Sequence, residues 1–196
     1  MPTPATPFRA TRLTSRIGEI VAVVDGAGAL VYLDFEEKTG PTPAPGPADW
    51  RGHPVVWSDV GEDPALAKVA EQIADYFAGK RTSFDLAVAP IGNDFNQSVW
   101  RQLQRIPYGE TISYGELARR LDLTNGARAV GRANGSNPIA IVIPCHRVIG
   151  ADGKLTGYSG GIERKAALLA LEQASTPAGQ HTLPLEIAPG IIRRKK

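Results

Sequence analysis

Cys145 stands directly before His146 and Arg147, in the run Pro144-Cys145-His146-Arg147. A thiol of ordinary pKa, about 8.5, is only a few per cent thiolate at neutral pH, and nearby positive charge or a basic imidazole raises that fraction. His146 and Arg147 bring both elements next to the sulfur in sequence. Sequence neighbours often point apart, so imidazole and thiol would communicate either directly or through a bridging water. An imidazole acting as base works best with a carboxylate on its other nitrogen. Glu163 and Glu172 are the candidates downstream, and Glu172 closes an apolar segment holding Ile162, Leu168, Leu169 and Leu171 that could carry it into the interior. The same residues are also compatible with a plain buried cysteine, a common fate of a free thiol.

The elements that must position these groups follow from local pattern. Ile139-Ala140-Ile141-Val142-Ile143 is an apolar, β-branched run stopped by Pro144, which predicts a buried strand holding Cys145 at its end. Upstream, Ser113-Tyr114-Gly115-Glu116 has the form of a capping box, with Ser113 bonding the third amide and Glu116 reaching back to the cap. It opens a helix with Leu117 and Leu121 inside that ends near Asp122. After the turn Leu123-Thr124-Asn125-Gly126, a second helix runs from about Ala127 to Asn134. Helix, glycine turn and helix, with arginines on the second, is a helix-turn-helix arrangement. On that second helix Ala127, Ala129, Gly131, Ala133 and Gly135 are small, and Arg128 and Arg132 stand four apart. Such a helix either packs tightly on a neighbour with its arginines in water, or lets its backbone approach a nucleic-acid groove. From Leu123 to Ala151 there is no Asp or Glu, while Arg128, Arg132 and Arg147 fall inside.

Earlier in the chain, residues 15–36 read as a hairpin turning at Asp25-Gly26-Ala27-Gly28. Gly40 to Asp49 holds four prolines and predicts an irregular loop. Val55-Val56-Trp57 is a short strand candidate. A helix starts at Asp63-Pro64, carries Leu66, Val69, Ala70, Ile73 and Phe77 on one stripe, and stops at Gly79. Asn96 to Gln104 is a further helix with Val99, Trp100 and Leu103 inward. The β-rich character gives way to helix near Pro90-Ile91-Gly92, dividing the chain into a support domain (1–90) without a catalytic constellation, a second domain carrying the reactive residues (91–173) and a flexible tail (174–196) ending in Arg193-Arg194-Lys195-Lys196. The 196 residues include one cysteine, which excludes an intramolecular disulfide and a thiolate-rich zinc site. His53, His146 and His181 lack metal-ligand spacing, so no metal and no cofactor are expected. A net charge of +2 does not by itself announce nucleic-acid binding. With no signal peptide and no apolar run of membrane-spanning length, the expected location is the cytoplasm, nucleoid-associated in a prokaryote, with no membrane partner.

Pro144-Cys145-His146-Arg147-Val148 resembles the active-site signature of the O6-alkylguanine-DNA alkyltransferases, the direct-reversal DNA-repair proteins. Further matches follow in order: Phe95-Asn96-Gln97-Ser98-Val99-Trp100, Ile106-Pro107-Tyr108-Gly109-Glu110-Thr111, Tyr114, Arg128-Ala129-Val130-Gly131, Asn137-Pro138, Gly157-Tyr158-Ser159-Gly160-Gly161, Lys165, Leu168-Leu169 and Glu172. The match is dense from Phe95 to Glu172 and vague before it. The resemblance implies an α+β protein: an N-terminal ribonuclease H-like α/β domain, without that chemistry, followed by a mainly helical winged helix-turn-helix domain. It also implies irreversible, stoichiometric transfer of an alkyl group, methyl foremost, from O6 of guanine to Cys145 after base flipping through the minor groove, with O4 of thymine as a second substrate.

By the same resemblance, Glu172, His146 and a water form the relay that produces the thiolate. Tyr114 contacts the guanine ring and helps protonate the leaving base. Val148, Tyr158 and Ser159 hold the base edge, Asn137 joins the recognition helix to the active-site segment, and Lys165 supports Glu172 or the pocket. Arg128 takes the space of the flipped base, with Ala127, Ala129, Gly131 and Arg132 against the DNA. The implied partner is double-stranded DNA containing O6-alkylguanine, met by a monomer with no obligate protein partner. The zinc that some relatives hold through N-terminal cysteines is not expected, because that half has none. Three other functions share parts of the pattern: a damage sensor lacking the cysteine, a regulator switched by cysteine methylation, and a cysteine hydrolase.

Overall fold

A computed structural model describes residues 6–38, 40, 42, 44–46 and 48–175. Five strands, β1 (Phe8–Ser15), β2 (Gly18–Val24), β3 (Leu30–Phe35), β4 (Asp49–Trp50) and β5 (His53–Trp57), form one sheet in the order β3-β2-β1-β5-β4. The expected hairpin is β2–β3, and Asp25 shapes its turn by accepting the amides of Ala27 and Ala29, each at 2.9 Å. Periodicity misses β1: five of the eight residues in its sequence FRATRLTS are polar, and it is held by pairing along the whole of β2. Successive strand residues face opposite sides. Ile20, Ala22 and Val24 therefore join the main core, while Val21 and Val23 join Phe8, Tyr32, Trp50 and Val55 on the other face.

Helix α1 (Pro64–Phe77) begins as its sequence directs, with Asp63 accepting the amides of Ala65 and Leu66 and Pro64 in the first turn. Gly79, at φ 71°, adopts the left-handed conformation that ends it. The buried stripe is Leu66, Val69, Ile73 and Tyr76, whereas Ala70 and Phe77 are only half-buried. α2 (Asp94–Leu103) starts two residues earlier than expected because Asn93 caps it, and it buries Val99, Trp100 and Leu103. β6 (Ile112–Ser113), α3 (Tyr114–Arg119) and α4 (Ala127–Gly135) follow, then β7 (Val148–Ile149), parallel to β6, and α5 (Ile162–Ala174). Half of the capping box forms: Ser113 Oγ accepts the Glu116 amide at 3.0 Å. The Glu116 carboxylate turns instead to Arg119 and Arg120, since two cations within one turn outcompete a single amide. The indole of Trp100 donates to the Ala133 carbonyl at 2.9 Å and staples α2 to α4.

One apolar cluster runs from Leu13 and Leu66 through Trp100 and Val130 to Cys145, so both halves of the chain share a core. The free edge of β3 is covered by bridges to Val88 and Ile139. The expected strand at 139–143 does not form. Only Ile139 bridges β3; the chain then turns tightly, with the Ile143 amide bonding the Ile139 carbonyl at 3.0 Å. Pro138 and Pro144 bracket the run and lack amides to donate to a ladder. No helix among the described residues is long and apolar enough to cross a membrane. Of the expected tail, His181 and the terminal basic cluster lie outside the described residues.

Candidate active site

The turn that replaces the strand fixes the nucleophile. Asn137 Nδ2 donates to the carbonyls of Ile139 (3.3 Å) and Ile143 (2.8 Å), while its Oδ1 accepts the Ile139 amide at 3.1 Å. These bonds hold Ile141 at φ 70°, a conformation that strains a β-branched residue by roughly 1–3 kcal/mol. Cys145, His146 and Arg147 then form a single 3-10 turn, and all three are buried. From α4, Asn134 Nδ2 donates to the Cys145 carbonyl at 3.3 Å. The helix with the exposed arginines is thereby tied to the backbone of the thiol, a role sequence reasoning did not assign to Asn134.

Of the two candidate carboxylates, the structure selects Glu172; Glu163 is exposed. Position 172 lies on the inward face of α5 with Lys165, Leu168 and Leu169, and it is fully buried. Its Oε1 accepts His146 Nε2 at 2.8 Å, Arg147 Nη2 at 2.9 Å and the Tyr76 hydroxyl at 2.8 Å. Its Oε2 accepts Arg147 Nε at 2.9 Å and the Gly109 amide at 3.1 Å. Burial works to raise this carboxyl, yet His146 and Arg147 hold it well below the usual carboxylate range. An ionised carboxylate only accepts, so His146 carries its proton on Nε2, and Nδ1 has no partner among the described protein atoms. Complete burial lowers the imidazole pKa against the pull of Glu172, which leaves His146 a neutral base.

Arg147 does not do what its place in sequence suggests. Its guanidinium is turned to Glu172 and the Ile106 carbonyl (2.6 Å), away from the thiol. Burial pushes the Cys145 thiol up to about 11, with Asp34 adding to the rise and Asn137 and Lys165 opposing it. The resting sulfur is therefore a thiol, and it needs a base. Lys165 is fully buried, donates to the carbonyls of Val148 (2.6 Å) and Thr156 (2.8 Å), and is lowered by burial to about 8. Its ammonium and the Cys145 sulfur influence each other electrostatically.

The other expected residues surround this centre. The Tyr114 hydroxyl donates to the carbonyls of Thr156 (3.3 Å) and Gly157 (3.5 Å), and burial raises its pKa. Val148 is in β7, and its amide bonds the Cys145 carbonyl. Tyr158 is buried near Cys145, and Ser159 Oγ reaches Asp34 Oδ2 of β3 at 3.5 Å. Gly160 permits that approach, since a Cβ there would stand 2.8 Å from the Tyr158 ring and 2.9 Å from Phe35. On α4, Ala127, Arg128 and Arg132 are exposed and Ala129 and Gly131 half-buried. Tyr76 and Asp34 come from the half in which the sequence shows no catalytic constellation; they became visible only through their contacts. Among the described residues no three His, Cys, Asp or Glu side chains come together to hold a metal ion.

A buried cysteine with a histidine–carboxylate pair, mounted beside a helix-turn-helix and braced by a ribonuclease-like sheet, defines a two-part class of methyltransferase. Residues 9–90 match the family model described as 6-O-methylguanine DNA methyltransferase, ribonuclease-like domain, and residues 94–174 match the DNA binding domain of the same enzymes. A methylated-DNA–protein-cysteine methyltransferase of Mycolicibacterium paratuberculosis is 59% identical over 118 residues, covering 60% of this chain and 72% of the relative. One from Methanosarcina barkeri is 46% identical over 161 residues, 82% of this chain and 94% of the relative. The crystal structure of Mycobacterium tuberculosis OGT in complex with DNA superposes with a TM-score of 0.71 at 44% identity, covering 87% of this chain and 96% of that one. The chain belongs to the methylated-DNA–protein-cysteine methyltransferase family.

Proposed function

We propose that this protein repairs O6-alkylguanine in duplex DNA by moving the alkyl group, once and irreversibly, onto Cys145 Sγ. The observation that carries the reading is the buried Glu172–His146 pair, whose His146 lies in the same turn as a thiol that burial keeps protonated. Glu172 anchors Nε2–H of His146, and Nδ1 takes the thiol proton through one water. The thiolate, stabilised by the Lys165 ammonium, attacks the alkyl carbon. As the S–C bond forms, the C–O6 bond breaks and its electron pair stays with guanine; the proton taken from the thiol leaves His146 by way of solvent, and the base takes up one proton in its place, with Tyr114 hydrogen-bonded to its ring. Thiol and alkylguanine thus become thioether and guanine. No side chain here cleaves a thioether, so each molecule turns over once.

The O6 atom lies inside the base stack, and rotating the base out costs a few kcal/mol. The exposed Arg128, on a helix whose Ala127, Ala129 and Gly131 let the backbone come close, suits a side chain that fills the gap from the minor groove, with Arg132 at the phosphates. Val148, Tyr158 and Ser159 line the place for the flipped base, and Asn137 holds the nucleophile's turn. O4-alkylthymine presents the same alkylated exocyclic oxygen and is the second substrate. In this reading residues 1–90 support, residues 91–173 bind DNA and react, and the protein acts as a monomer in the cytoplasm. The relative solved in complex with DNA supports DNA as the partner.

Intact mass after incubation with an oligonucleotide duplex containing O6-methylguanine tests this. The expected result is gain of one methyl, mapped to Cys145, with repaired DNA never exceeding protein. Repeated turnover would assign a hydrolytic or other true catalyst instead. An unchanged mass with DNA bound would make the protein a lesion sensor.

A further inference from the structure

Resting on the alkyltransferase reading above, we propose that Tyr76, from the ribonuclease-like half, is a positioning residue of the proton relay. Its hydroxyl donates to the Glu172 oxygen that also holds His146, and so sets the orientation and basicity of the carboxylate that supports the imidazole.

Tyr76 sits near the end of α1, fully buried, 96 residues from Glu172 in sequence and 2.8 Å from it in space. Phe77, Phe84 and Tyr108 surround its ring at centroid distances of 5.4, 5.6 and 6.1 Å, so the hydroxyl has one direction to point. Burial, reinforced by the negative Glu172, keeps the phenol protonated, which makes it a permanent donor. A carboxylate that gives part of its charge to a phenol pulls less on the imidazole proton. Among the described residues, charged and titratable groups facing Glu172 include Tyr76 from α1, His146 and Arg147 from the Cys145 turn, and Tyr108 from the loop after α2. Lys165 of α5 acts on His146, and Arg16 acts on Tyr108. Of these, Arg147 and Tyr76 donate to the carboxylate without passing a proton onward. Phenylalanine would fill the same space among the same rings, so packing alone accounts for the ring and leaves the hydroxyl to be explained.

The experiment is the pH dependence of single-turnover alkyl transfer from the free base O6-benzylguanine, which removes DNA binding from the comparison. Tyr76→Phe makes the carboxylate more basic and raises the imidazole pKa, so the acid limb should move up by roughly one pH unit, the size expected for one hydrogen bond to a charged group. Site-specific replacement of Tyr76 by a difluorotyrosine, a stronger donor of nearly the same shape, should move the limb down. Titration of His146 by NMR in the same proteins reads the shift directly. Wild type that accepts no benzyl group would overturn the alkyltransferase reading itself. Active wild type whose acid limb and His146 titration stay in place in both variants, even with a lowered melting point, would reduce Tyr76 to packing.

Discussion

Replacing Glu172 by glutamine removes one proton-sized charge from a fully buried site and keeps the shape. The carboxylate accepts from Tyr76, His146 and Arg147 on one oxygen and from Arg147 and Gly109 on the other. Whichever way the new amide is flipped, its NH2 faces donors, and Arg147, 6% exposed, loses its counter-ion. Breaking a buried pair in this way costs about 3–5 kcal/mol. At roughly 2–4 °C per kcal/mol for a protein of this size, the melting point should drop by about 6–20 °C. The loss should also depend on pH. Glu172 and His146 both titrate below their ordinary values in the folded protein, so the unfolded chain binds more protons as pH falls. The stabilisation from Glu172 is complete above the unfolded carboxyl value, about 4.3, and fades as pH drops toward the lower folded value. Urea denaturation of wild type and Glu172→Gln should therefore give a large gap at pH 7 that narrows in acid. A gap under about 1 kcal/mol at pH 7, or one that does not narrow, refutes the assignment of Glu172 as the charged centre of this cluster.

Two further outcomes follow from the same geometry. Arg128→Ala should slow repair of duplex DNA far more than reaction with O6-benzylguanine, because Arg128 is exposed on α4 and not hydrogen-bonded to the thiol's turn; equal slowing in a paired rate assay would remove it from the duplex. Asn137→Ala deletes three hydrogen bonds that brace the turn around Ile141, and at about 1 kcal/mol each it should lower stability by about 3 kcal/mol. A urea midpoint within error of wild type would mean that the turn is held by other contacts.

Much of the fold is readable along the chain. Asp63-Pro64 and Ser113 are local caps, the Ile20–Val24 run reads as a strand, and the glycine turn before Ala127 separates two helices. The exceptions are instructive. β1 hides because alternation with Arg9, Thr11 and Arg12 dilutes its apolar signal until β2 pairs with it. Ile139–Ile143 has the composition of a strand, but its amides and carbonyls are taken by Asn137, by Leu33 and by its own turn.

Sequence alone determined that Cys145 is the sole thiol, that a histidine follows it, and that a helix-turn-helix with outward arginines lies upstream. Those are statements about identity and about contacts within a few residues, which periodicity and capping express. Residue spacing left Glu163 and Glu172 both open and the family resemblance pointed to Glu172; the tertiary structure brings Glu172 to His146, and it alone decided that Arg147 neutralises that carboxylate instead of the sulfur and that Tyr76 crosses from the other half to join them. Burial and distance set charge states, and neither is encoded by spacing along the chain.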